Sequence, residues 1–554
     1  MHVLFSNYSI NVRSQVSGKA FNFVRALLHT PATMSDTIKL STTTESFPKT
    51  HAAKGTEPYL TPLFIKNEFI KSKATEWYDI HDPATNQVIS KCPQATDAEL
   101  DSAIELAHET FKTWKNVSIM RRQQYIFKLV ELLKKNHDRI ASVIVAEQGK
   151  TFEDAKGDVL RGLQVAEYAT AITTELQGTQ LEVATDMDTL MIREPLGVIA
   201  AICPFNFPAM IPLWTIPLVI ATGNTAVIKP SERDPGACSI FGELVKEAGV
   251  PAGVINFVQG KAPTVNKLLT HPLVQAVQFV GSSKTGNYIY KTGTEHNKRV
   301  QSNEAAKNHV VVVPDANKAQ FINAAAGAFA GAAGQRCMAA SVLVTVGETK
   351  KWIPDLVEAA KKLKIGSGYD SKSDLGPMIS KDALKRAEDI ITKGVESGAK
   401  LALDGRGVKV DGFPEGYFLG PTILTDVKTD NICYTEEIFA PVLSVISVDT
   451  FDEAIKVVND NPYGNGVALF TTSGILAKKF IKNIEPGQVG INVPIPVPLP
   501  MFSFTGNKGS FQGDLNFYGK MGLTFLTKAK TITSLWKTSL AEEAGPSTSM
   551  PTQN

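Results

Sequence analysis

A cysteine set among small residues is the strongest candidate for chemistry in this sequence. Cys337 lies in the run Gly331-Ala-Ala-Gly-Gln-Arg-Cys-Met-Ala, whose small side chains let a ligand approach the backbone closely. A thiol attacks a carbonyl carbon only as the thiolate, and either the neighbouring Arg336 or a helix N-terminus could lower its pKa. A buried and inert cysteine is the commoner role of a thiol taken alone, so other residues must decide between the two.

An amide side chain held between two prolines could stabilise the charge that such an attack creates. The segment Pro204-Phe205-Asn206-Phe207-Pro208 follows a predicted strand. When a thiolate adds to an aldehyde, negative charge develops on oxygen, and a fixed donor there is worth about 3 to 4 kcal/mol in comparable sites. Asn206 is therefore a candidate oxyanion donor, and an ordinary turn residue is the alternative.

Two further segments suit a dinucleotide. Lys229 and Glu232 lie at the carboxyl end of the next predicted strand, where they could bracket a ribose. A carboxylate in this place would repel a 2′-phosphate, which favours NAD over NADP. Ser282, in Phe279-Val-Gly-Ser-Ser-Lys-Thr-Gly286, stands where a strand meets a helix and suits a pyrophosphate. A solvated charged loop and a plain tight turn are the respective alternatives.

An alternation of strands and helices must position these residues. From Gly197 onward, short β-branched runs alternate with helical patterns, and a second such stretch runs from near Val310 to about Val489. Strand-helix alternation requires right-handed crossovers and a parallel sheet, and ligands bind beyond the carboxyl ends of its strands. The sequence therefore predicts an α/β protein with two open-sheet lobes.

Flanking segments add helices and an exposed strand. Thr96-Asp97-Ala98-Glu99 predicts a capping box, and a helix opened by Ser118 is predicted to run to Gly149. The strand-like polar segment 179–193 would be an exposed sheet edge unless another subunit covered it. Together with a C-terminal strand near 531–535, it predicts an oligomerisation arm.

Composition limits the class of partner. At 554 residues the chain exceeds a single hydrophobic core, so two or more domains are expected. Its 43% apolar and 20% charged residues include no apolar run near the roughly 18 to 20 residues of a bilayer span, which predicts a soluble protein. A net charge of +2 does not indicate nucleic acid, and five cysteines without close pairing indicate neither disulfides nor a metal site. A small-molecule site is the remaining expectation.

Both termini differ from the rest of the chain. Acidic residues are absent before Asp36, whereas the same stretch has basic side chains. These are Arg13, Lys19 and Arg25. The pattern predicts a mitochondrial transit peptide or disordered segment over 1–45 and a location in the mitochondrial matrix, with the cytoplasm as the alternative. The polar, Pro/Ser/Thr-rich segment 539–554 predicts an unfolded tail.

Six segments in fixed order resemble the aldehyde dehydrogenase superfamily. They read PFNFP, KPSE, FVGSSKTG, GQRCMA, EEIFAPV and NPYGNG, within a stretch from about Tyr59 to Trp536. Further strings, above all Val493-Pro-Ile-Pro-Val-Pro-Leu-Pro-Met-Phe-Ser-Phe-Thr-Gly506, resemble the CoA-acylating methylmalonate-semialdehyde dehydrogenases. The resemblance implies two Rossmann-like open-sheet lobes and a β-strand oligomerisation arm. The implied parts are an NAD-binding domain (46–178 and 196–305), a catalytic domain (306–487) and the arm (179–195 and 488–538).

The same resemblance implies roles for matched residues. Cys337 would be the nucleophile, and Asn206 with the Cys337 backbone amide would form the oxyanion hole. Arg161 and Arg336 would bind a substrate carboxylate, for which a planar guanidinium is suited. The implied NAD contacts are Phe205, Lys229, Glu232, Ser282, Glu437 and Phe439, the last two at the nicotinamide ribose and ring.

One substituted position bears on which molecule accepts the acyl group. Hydrolytic relatives carry a glutamate base in an E-L-G-G-K string, and Asn303 stands at that glutamate's place in Asn303-Glu-Ala-Ala-Lys307. An amide cannot activate water, whereas the thiol of CoA is partly ionised near neutral pH, so thiolysis is favoured. Glu304 should point away from Cys337 if the segment is extended. Ala305 and Ala440 stand where relatives generally have glycine.

The predicted reaction is an NAD-dependent, CoA-acylating oxidation of methylmalonate semialdehyde or malonate semialdehyde. It would proceed through a Cys337 thioester, lose the carboxyl group and yield propionyl-CoA or acetyl-CoA. The partners expected are a small aldehyde with a carboxylate, CoA, and further copies of the chain in a homodimer or homotetramer. A hydrolytic aldehyde dehydrogenase and a non-catalytic oligomeric binding protein on the same fold are the alternatives.

Overall fold

A computed structural model describes residues 57–536 and the single residue 548. The predicted transit peptide lies outside the described residues, as does the predicted C-terminal tail apart from residue 548. Among the described residues, no helix has both the length and the apolar character needed to cross a bilayer.

The secondary structure follows the predicted alternation of strands and helices. The strands are β1 Tyr59–Leu60, β2 Leu63–Ile65, β3 Glu68–Ile70, β4 Trp77–His81, β5 Val88–Pro93, β6 Thr179–Ala184, β7 Met187–Pro195, β8 Val198–Ile202, β9 Thr225–Lys229, β10 Ile255–Phe257, β11 Val274–Val280, β12 Arg299–Asn303, β13 Asn308–Val312, β14 Ala340–Val346, β15 Lys400–Leu403, β16 Thr422–Thr425, β17 Val442–Val448, β18 Tyr463–Gly464, β19 Gly466–Phe470, β20 Gln488–Ile491, β21 Asn507–Lys508, β22 Phe511–Gln512 and β23 Thr527–Leu535. The α-helices are α1 Asp97–Trp114, α2 Ile119–Lys135, α3 His137–Gln148, α4 Phe152–Ala169, α5 Ile172–Glu175, α6 Met210–Thr222, α7 Gly236–Glu247, α8 Ala262–Thr270, α9 Ser283–Glu295, α10 Lys318–Ala330, α11 Ile353–Lys361, α12 Lys381–Glu396, α13 Ile432–Thr435, α14 Phe451–Asp460, α15 Gly474–Asn483 and α16 Gly519–Phe525.

An eight-stranded sheet forms the first lobe, in the order β22-β12-β11-β8-β9-β10-β2-β3. Its five strands from β12 to β10 are parallel, and β8 and β9 are buried along their whole length. Apolar clusters form the core on its faces, as continuous β-branched strands covered by helices require. The chain leaves β8 in one direction towards β9 and β10 and returns to its other side with β11. This reversal creates the crevice in which ligands of such sheets bind.

A seven-stranded sheet forms the second lobe, in the order β15-β16-β17-β14-β13-β19-β20. All neighbouring pairs from β16 to β20 are parallel, and only β15 is antiparallel. Two apolar clusters provide its core. The prediction of two open-sheet α/β lobes is therefore confirmed.

A separate antiparallel sheet extends from the lobes, in the order β23-β7-β6. β23 pairs with β7 from Thr527 opposite Pro195 to Leu535 opposite Met187. Most of β23 is exposed, and the exposed residues include the apolar Ile532 and Leu535. The segment 488–512 contributes β20 to the edge of the second sheet and β22 to the edge of the first.

The helices before β6 show one confirmed prediction and one error. The capping box at Thr96 is confirmed, because its hydroxyl accepts from the Glu99 N–H and the Glu99 carboxylate accepts from the Thr96 N–H. The single helix predicted from Ser118 to Gly149 is wrong, since α2 ends and α3 begins at Asn136. The Asn136 backbone (φ −101°, ψ 12°) lies outside the helical region while its N–H and C=O still bond to both helices. Apolar periodicity continues through such a break and cannot reveal it.

Candidate active site

The predicted site residues lie at opposite ends of the strands in the two sheets. Asn206 follows β8, Lys229 ends β9 and Ser282 follows β11, so these predicted residues share the carboxyl edge of three neighbouring parallel strands. Cys337 precedes β14, and Phe439 precedes β17, at the amino ends of two neighbouring strands of the second sheet. The structure therefore brings the sequence-predicted residues of both lobes to one region.

Cys337 is the only one of the five cysteines that is not fully buried. Its carbonyl oxygen accepts hydrogen bonds from the Asn308 Nδ2 at 2.8 Å and the Asn465 Nδ2 at 3.1 Å. The two amides come from the starts of β13 and β19, so the second lobe fixes the peptide that carries the thiol.

The backbone before Cys337 adopts an unusual conformation. Ala332 and Ala333 both have φ 52°, and Gly334 has φ 68°. A Cβ on Gly334 would lie 2.1 Å from the Ala440 carbonyl oxygen, so only glycine fits between the two loops. Left-handed backbone in alanine costs of order 1 kcal/mol or more and persists where surrounding contacts impose it. Ala440 itself does not have positive φ, and neither does Ala305, so neither alanine carries a conformation that requires glycine.

Burial dominates the electrostatics of the nucleophile. Desolvation, together with the neighbouring Glu437 charge, raises the pKa of the Cys337 thiol to about 12. Arg336 acts in the predicted direction and lowers the pKa, but this effect is the smaller one. Arg336 therefore lowers the thiol pKa as predicted, but burial decides the direction of the overall shift.

A chain of charges extends from Arg336 into the first lobe. The Arg336 guanidinium forms an ion pair with Asp154, and both side chains are largely shielded from solvent. The Lys150 Nζ lies 3.9 Å from Asp154 and 3.5 Å from Asp158, and it is fully buried. Alternating signs allow each charge to be compensated by a neighbour, as a buried charge requires.

The same chain fixes the turn that carries Asn206. Lys150 donates to the Asn206 carbonyl oxygen at 2.7 Å, and the Asp158 carboxylate accepts from the Met210 N–H at 2.7 Å. Asn206 is 4% exposed, and none of the described residues forms a hydrogen bond with its side-chain amide. The amide is held by its backbone and remains able to donate to an oxyanion.

Arg161 occupies different surroundings from Arg336. Among the described residues it has no ion pair, and its nearest polar contact is the Gln164 Oε1 at 3.4 Å. It lines a small cavity together with apolar and aromatic side chains. These include Val165, Met210, Trp214, Val497 and Tyr518.

Lys229 and Glu232 form a pair at the predicted ribose site. The Lys229 Nζ donates to the carbonyl oxygens of Pro230 at 2.8 Å and Gly260 at 3.0 Å, and lies 3.4 Å from the Glu232 carboxylate. Burial raises the pKa of Glu232, but the Lys229 charge, a backbone hydrogen bond and the Arg233 charge together outweigh burial, so the pKa lies below its usual value. Glu232 is therefore an ionised acceptor at neutral pH, as the hydroxyls of a ribose require.

The beginning of α9 fits the predicted pyrophosphate contact. Ser282 is the N-cap residue of α9, yet its side chain does not cap the helix and instead contacts the Thr285 hydroxyl at 3.1 Å. The first N–H groups of this 13-residue helix are thus not satisfied by the cap side chain, and they favour an anion. Glu304 packs behind them, because a Cβ on Gly286 would lie 2.5 Å from its carboxyl carbon.

The loop that carries Glu437 and Phe439 is held on several sides. The Glu437 carboxylate accepts from the Ala306 N–H at 2.8 Å, and its pKa is raised to about 7 by burial. Arg386 donates to the carbonyl oxygens of Glu437 and Ile438 at 2.8 and 3.0 Å. Phe439 has φ 58° and contacts Phe205 edge to face, with centroids 5.9 Å apart. The two aromatic rings can thus border a planar ligand between the lobes.

Buried amide groups lie near the nucleophile without hydrogen-bond partners. Neither the Oδ1 nor the Nδ2 of Asn303 has a partner among the described residues, and the same holds for the Oδ1 of Asn465. Both Oδ1 atoms face Gly506. A Cβ placed on Gly506 would lie 3.4 Å from the Asn303 Oδ1 and 3.6 Å from the Asn465 Oδ1. Asn465 also binds the Cys337 carbonyl, so Asn303 lies one amide group away from the nucleophile peptide.

Sequence reasoning missed several residues of this region. Lys150, Asp154, Asp158 and Arg386 carry charges that bind the loops of the site, and Tyr518 lines its cavity. The only available signal for Lys150 was its position after the glycine that ends α3. No local pattern distinguished the others from ordinary surface charges or core aromatics.

Comparison with known proteins agrees with this geometry. Residues 69–532 match the aldehyde dehydrogenase family. This chain belongs to that family.

Several individual proteins that are similar to this chain have names that specify one kind of enzyme. The chain is 49% identical over 530 residues to the human mitochondrial methylmalonate-semialdehyde/malonate-semialdehyde dehydrogenase [acylating], covering 95% of this chain and 99% of that protein. It is 52% identical over 491 residues to the Bos taurus protein of the same name, covering 88% and 91%. A structure of a putative methylmalonate-semialdehyde dehydrogenase from Sinorhizobium meliloti, complexed with NAD, superposes with a TM-score of 0.86 at 42% identity. That match covers 87% of this chain and 99% of the other.

Proposed function

We propose that this protein oxidises methylmalonate semialdehyde, or malonate semialdehyde, with NAD and transfers the acyl group to CoA. The products are propionyl-CoA or acetyl-CoA, NADH, and carbon dioxide from the substrate's carboxyl group. Similar proteins of about 50% identity bear this acylating activity in their names, and a structural relative is described as complexed with NAD.

The observation that carries the proposal is the amide at position 303. Asn303 ends β12 and is fully buried, and it lies near the Asn465 side chain that binds the Cys337 peptide. A carboxylate here could remove a proton from water, but an amide has no basic atom for this task. A thiol acceptor needs far less help because it is partly ionised near neutral pH. The arrangement favours CoA over water as the acyl acceptor.

The chain's own residues supply the steps of covalent catalysis. The Cys337 sulfur bonds to the aldehyde carbon while the Asn206 amide donates to the oxygen that becomes negative. Bound NAD supplies the acceptor for the hydride that leaves this carbon. The resulting thioester on Cys337 is then displaced by the CoA thiol.

Arg161 supplies the preference for a substrate with a carboxylate. Arg161 lines the small cavity beside Tyr518 and has no ion pair with a described residue. A carboxylate in that cavity would gain two charge-assisted hydrogen bonds that a simple aldehyde cannot make. Once the aldehyde carbon is a thioester, the β-carboxyl group leaves as carbon dioxide and its electron pair is protonated on the adjacent carbon.

The cellular location and assembly complete the proposal. The human and bovine relatives are named mitochondrial, and the basic first 35 residues of this chain agree with import into the matrix. The exposed strand β23 bears apolar side chains on a three-stranded sheet, and an uncovered edge of this kind is a liability for a monomer. We propose a homodimer or homotetramer in which a second subunit covers this sheet.

Hydrolysis is the second candidate, and one residue favours it. Glu437 is the carboxylate whose charge acts on the Cys337 thiol, and its pKa of about 7 suits a general base. An enzyme that used it in this way would release a free acid without CoA.

One assay separates the two candidates. NADH formation from methylmalonate semialdehyde is followed with and without CoA, and the acyl product is identified by mass spectrometry. We expect sustained turnover only with CoA, and propionyl-CoA as the product. Cys337→Ala is the control and should lose all NADH formation while still binding NAD. Sustained turnover to a free acid without CoA would reject the acylating function.

A further inference from the structure

Tyr518 lines the same cavity as Arg161, and its hydroxyl has no hydrogen-bond partner among the described residues. Tyr518 is 2% exposed, and its ring packs edge to face on Trp214 with centroids 5.0 Å apart. The Phe504 ring also packs against the Tyr518 ring, with centroids 6.4 Å apart. None of the described residues hydrogen-bonds the phenolic oxygen, although the residue lines the cavity. A hydroxyl without a protein partner, on a residue that lines a cavity, is available to donate to a ligand.

The backbone of Tyr518 holds the ring in a fixed direction. It has φ 41° and ψ −169°, a conformation rare for a residue with a side chain. Its carbonyl oxygen accepts from the Ser503 hydroxyl and from the Gly522 N–H, each at 2.9 Å. Strained backbone that is held by its surroundings is concentrated at functional sites. The rings that pack around it leave the hydroxyl little freedom to turn elsewhere.

Tyr518 shares its cavity with Arg161 and interacts electrostatically with both Arg161 and Cys337. Burial raises the pKa of Tyr518, the Arg161 charge opposes this, and the Cys337 thiol adds to it. The phenolic oxygen is thus within electrostatic reach of both groups and remains a neutral donor at physiological pH.

We propose that Tyr518 is a specificity-determining residue whose hydroxyl donates a hydrogen bond to the substrate carboxylate bound by Arg161. The inference rests on the proposed function, since it requires a substrate with a carboxylate. A carboxylate has two oxygens, so it can accept from the guanidinium and from the phenol together. A simple aldehyde of the same length leaves the hydroxyl unpaired in a buried site. Sites built to hydrogen-bond a substrate group discriminate strongly against analogues that lack it.

The test removes one oxygen atom and keeps the ring. Tyr518→Phe should raise the KM for methylmalonate semialdehyde about tenfold, the effect of losing one hydrogen bond to a charged group. The kcat/KM for propanal should stay within about twofold, because propanal makes no such bond. A simple loss of stability would affect both substrates alike.

Two controls distinguish the hydroxyl's contact from a general effect. Tyr417→Phe removes the hydroxyl of another buried tyrosine, which bonds to Asn86 in a different part of the fold, and should leave the ratio of the two substrates unchanged. In the double variant with Arg161→Leu, the Tyr518→Phe effect on the semialdehyde should shrink, because both side chains hold the same carboxylate.

Each outcome has a definite meaning. A wild-type preference for the semialdehyde that Tyr518→Phe reduces supports the inference. A wild-type preference that Tyr518→Phe leaves unchanged, with the variant folded by circular dichroism, overturns the role of Tyr518 alone. If the wild-type enzyme shows no preference for the semialdehyde over propanal, the proposed substrate class is wrong and the inference fails with it.

Discussion

The two arginines predicted to bind the substrate carboxylate have opposite surroundings. Arg336 is adjacent to Cys337 in the chain, yet its charge is neutralised by Asp154. Arg161 is remote in the chain, yet it lines the small cavity and has no ion pair among the described residues. Nearness to the nucleophile in sequence is therefore a poor guide to which arginine can bind a substrate, because the charges around each side chain decide it.

The difference has a physical cause. An ion pair removed from water has most of its attraction already satisfied, so a second anion gains little from the same guanidinium. The Arg336 pair also continues through Lys150 to the Asn206 carbonyl and thereby joins the nucleophile loop to the oxyanion turn. We infer that Arg336 mainly positions the site and that Arg161 provides the first contact with a carboxylate.

Removing the ion-pair partner of Arg336 should have the largest effect. Asp154→Asn leaves Arg336 and Lys150 without a shared counter-charge, which should lower the free energy of unfolding by about 2 to 3 kcal/mol. Because the nucleophile loop and the Asn206 turn lose their link, kcat should fall about 100-fold for methylmalonate semialdehyde and propanal alike. Steady-state kinetics with both substrates and thermal melting measure the two effects.

The outcome that contradicts this prediction is specific. If Asp154→Asn lowers the KM for the semialdehyde and leaves that for propanal unchanged, the freed Arg336 has become a carboxylate site. Glu153→Gln, at an exposed neighbouring position of α4, is the matched control and should change neither kcat nor stability.

Removing the second arginine should have a smaller and more selective effect. Arg161→Leu should raise the KM for methylmalonate semialdehyde about 30-fold and leave propanal nearly unchanged, because only the former loses charge-assisted hydrogen bonds. Arg161→Lys keeps the charge without the planar fork and should lie between the two. Equal changes for both aldehydes would remove Arg161 from the carboxylate site.

The same contrast shows what sequence could predict. Local signals found the capping box at Thr96, the parallel strands of both lobes and the turn at Asn206, since each depends on neighbouring residues. The Arg336–Asp154 pair joins residues 182 positions apart, and no local pattern identifies such a partner. Tyr518 was missed for a related reason, since an aromatic residue in a mixed segment is usually part of the core. The predicted strand order was enough to place the site residues of each lobe at one edge of a sheet. The pairing of charged side chains depends on the three-dimensional fold and could not be predicted.

The smallest predicted effect concerns the protonation of the nucleophile. Glu437 raises the pKa of the Cys337 thiol, so Glu437→Gln should lower that pKa and speed alkylation of Cys337 by iodoacetamide a few-fold. The Glu437 pKa of about 7 fixes where the difference appears. Below this pH the carboxyl group is mostly neutral and wild type should react like the variant. Above it the wild-type carboxylate is charged and holds the thiol protonated, so the variant should react faster.

The pH dependence of Cys337 alkylation also tests whether Asp154 already neutralises the charge of Arg336. Alkylation of Cys337 is followed by peptide mass spectrometry from about pH 6 to about pH 9, a range that spans the Glu437 titration. Glu436→Gln, which removes an exposed charge next to Glu437, is the control and should leave the profile unchanged. Because Asp154 neutralises Arg336, Asp154→Asn should also speed alkylation, by strengthening the effect of Arg336 on the thiol. If neither Glu437→Gln nor Asp154→Asn changes the pH profile of alkylation, desolvation alone sets the protonation state of the Cys337 thiol. The contrast between the two arginines would then concern substrate binding only.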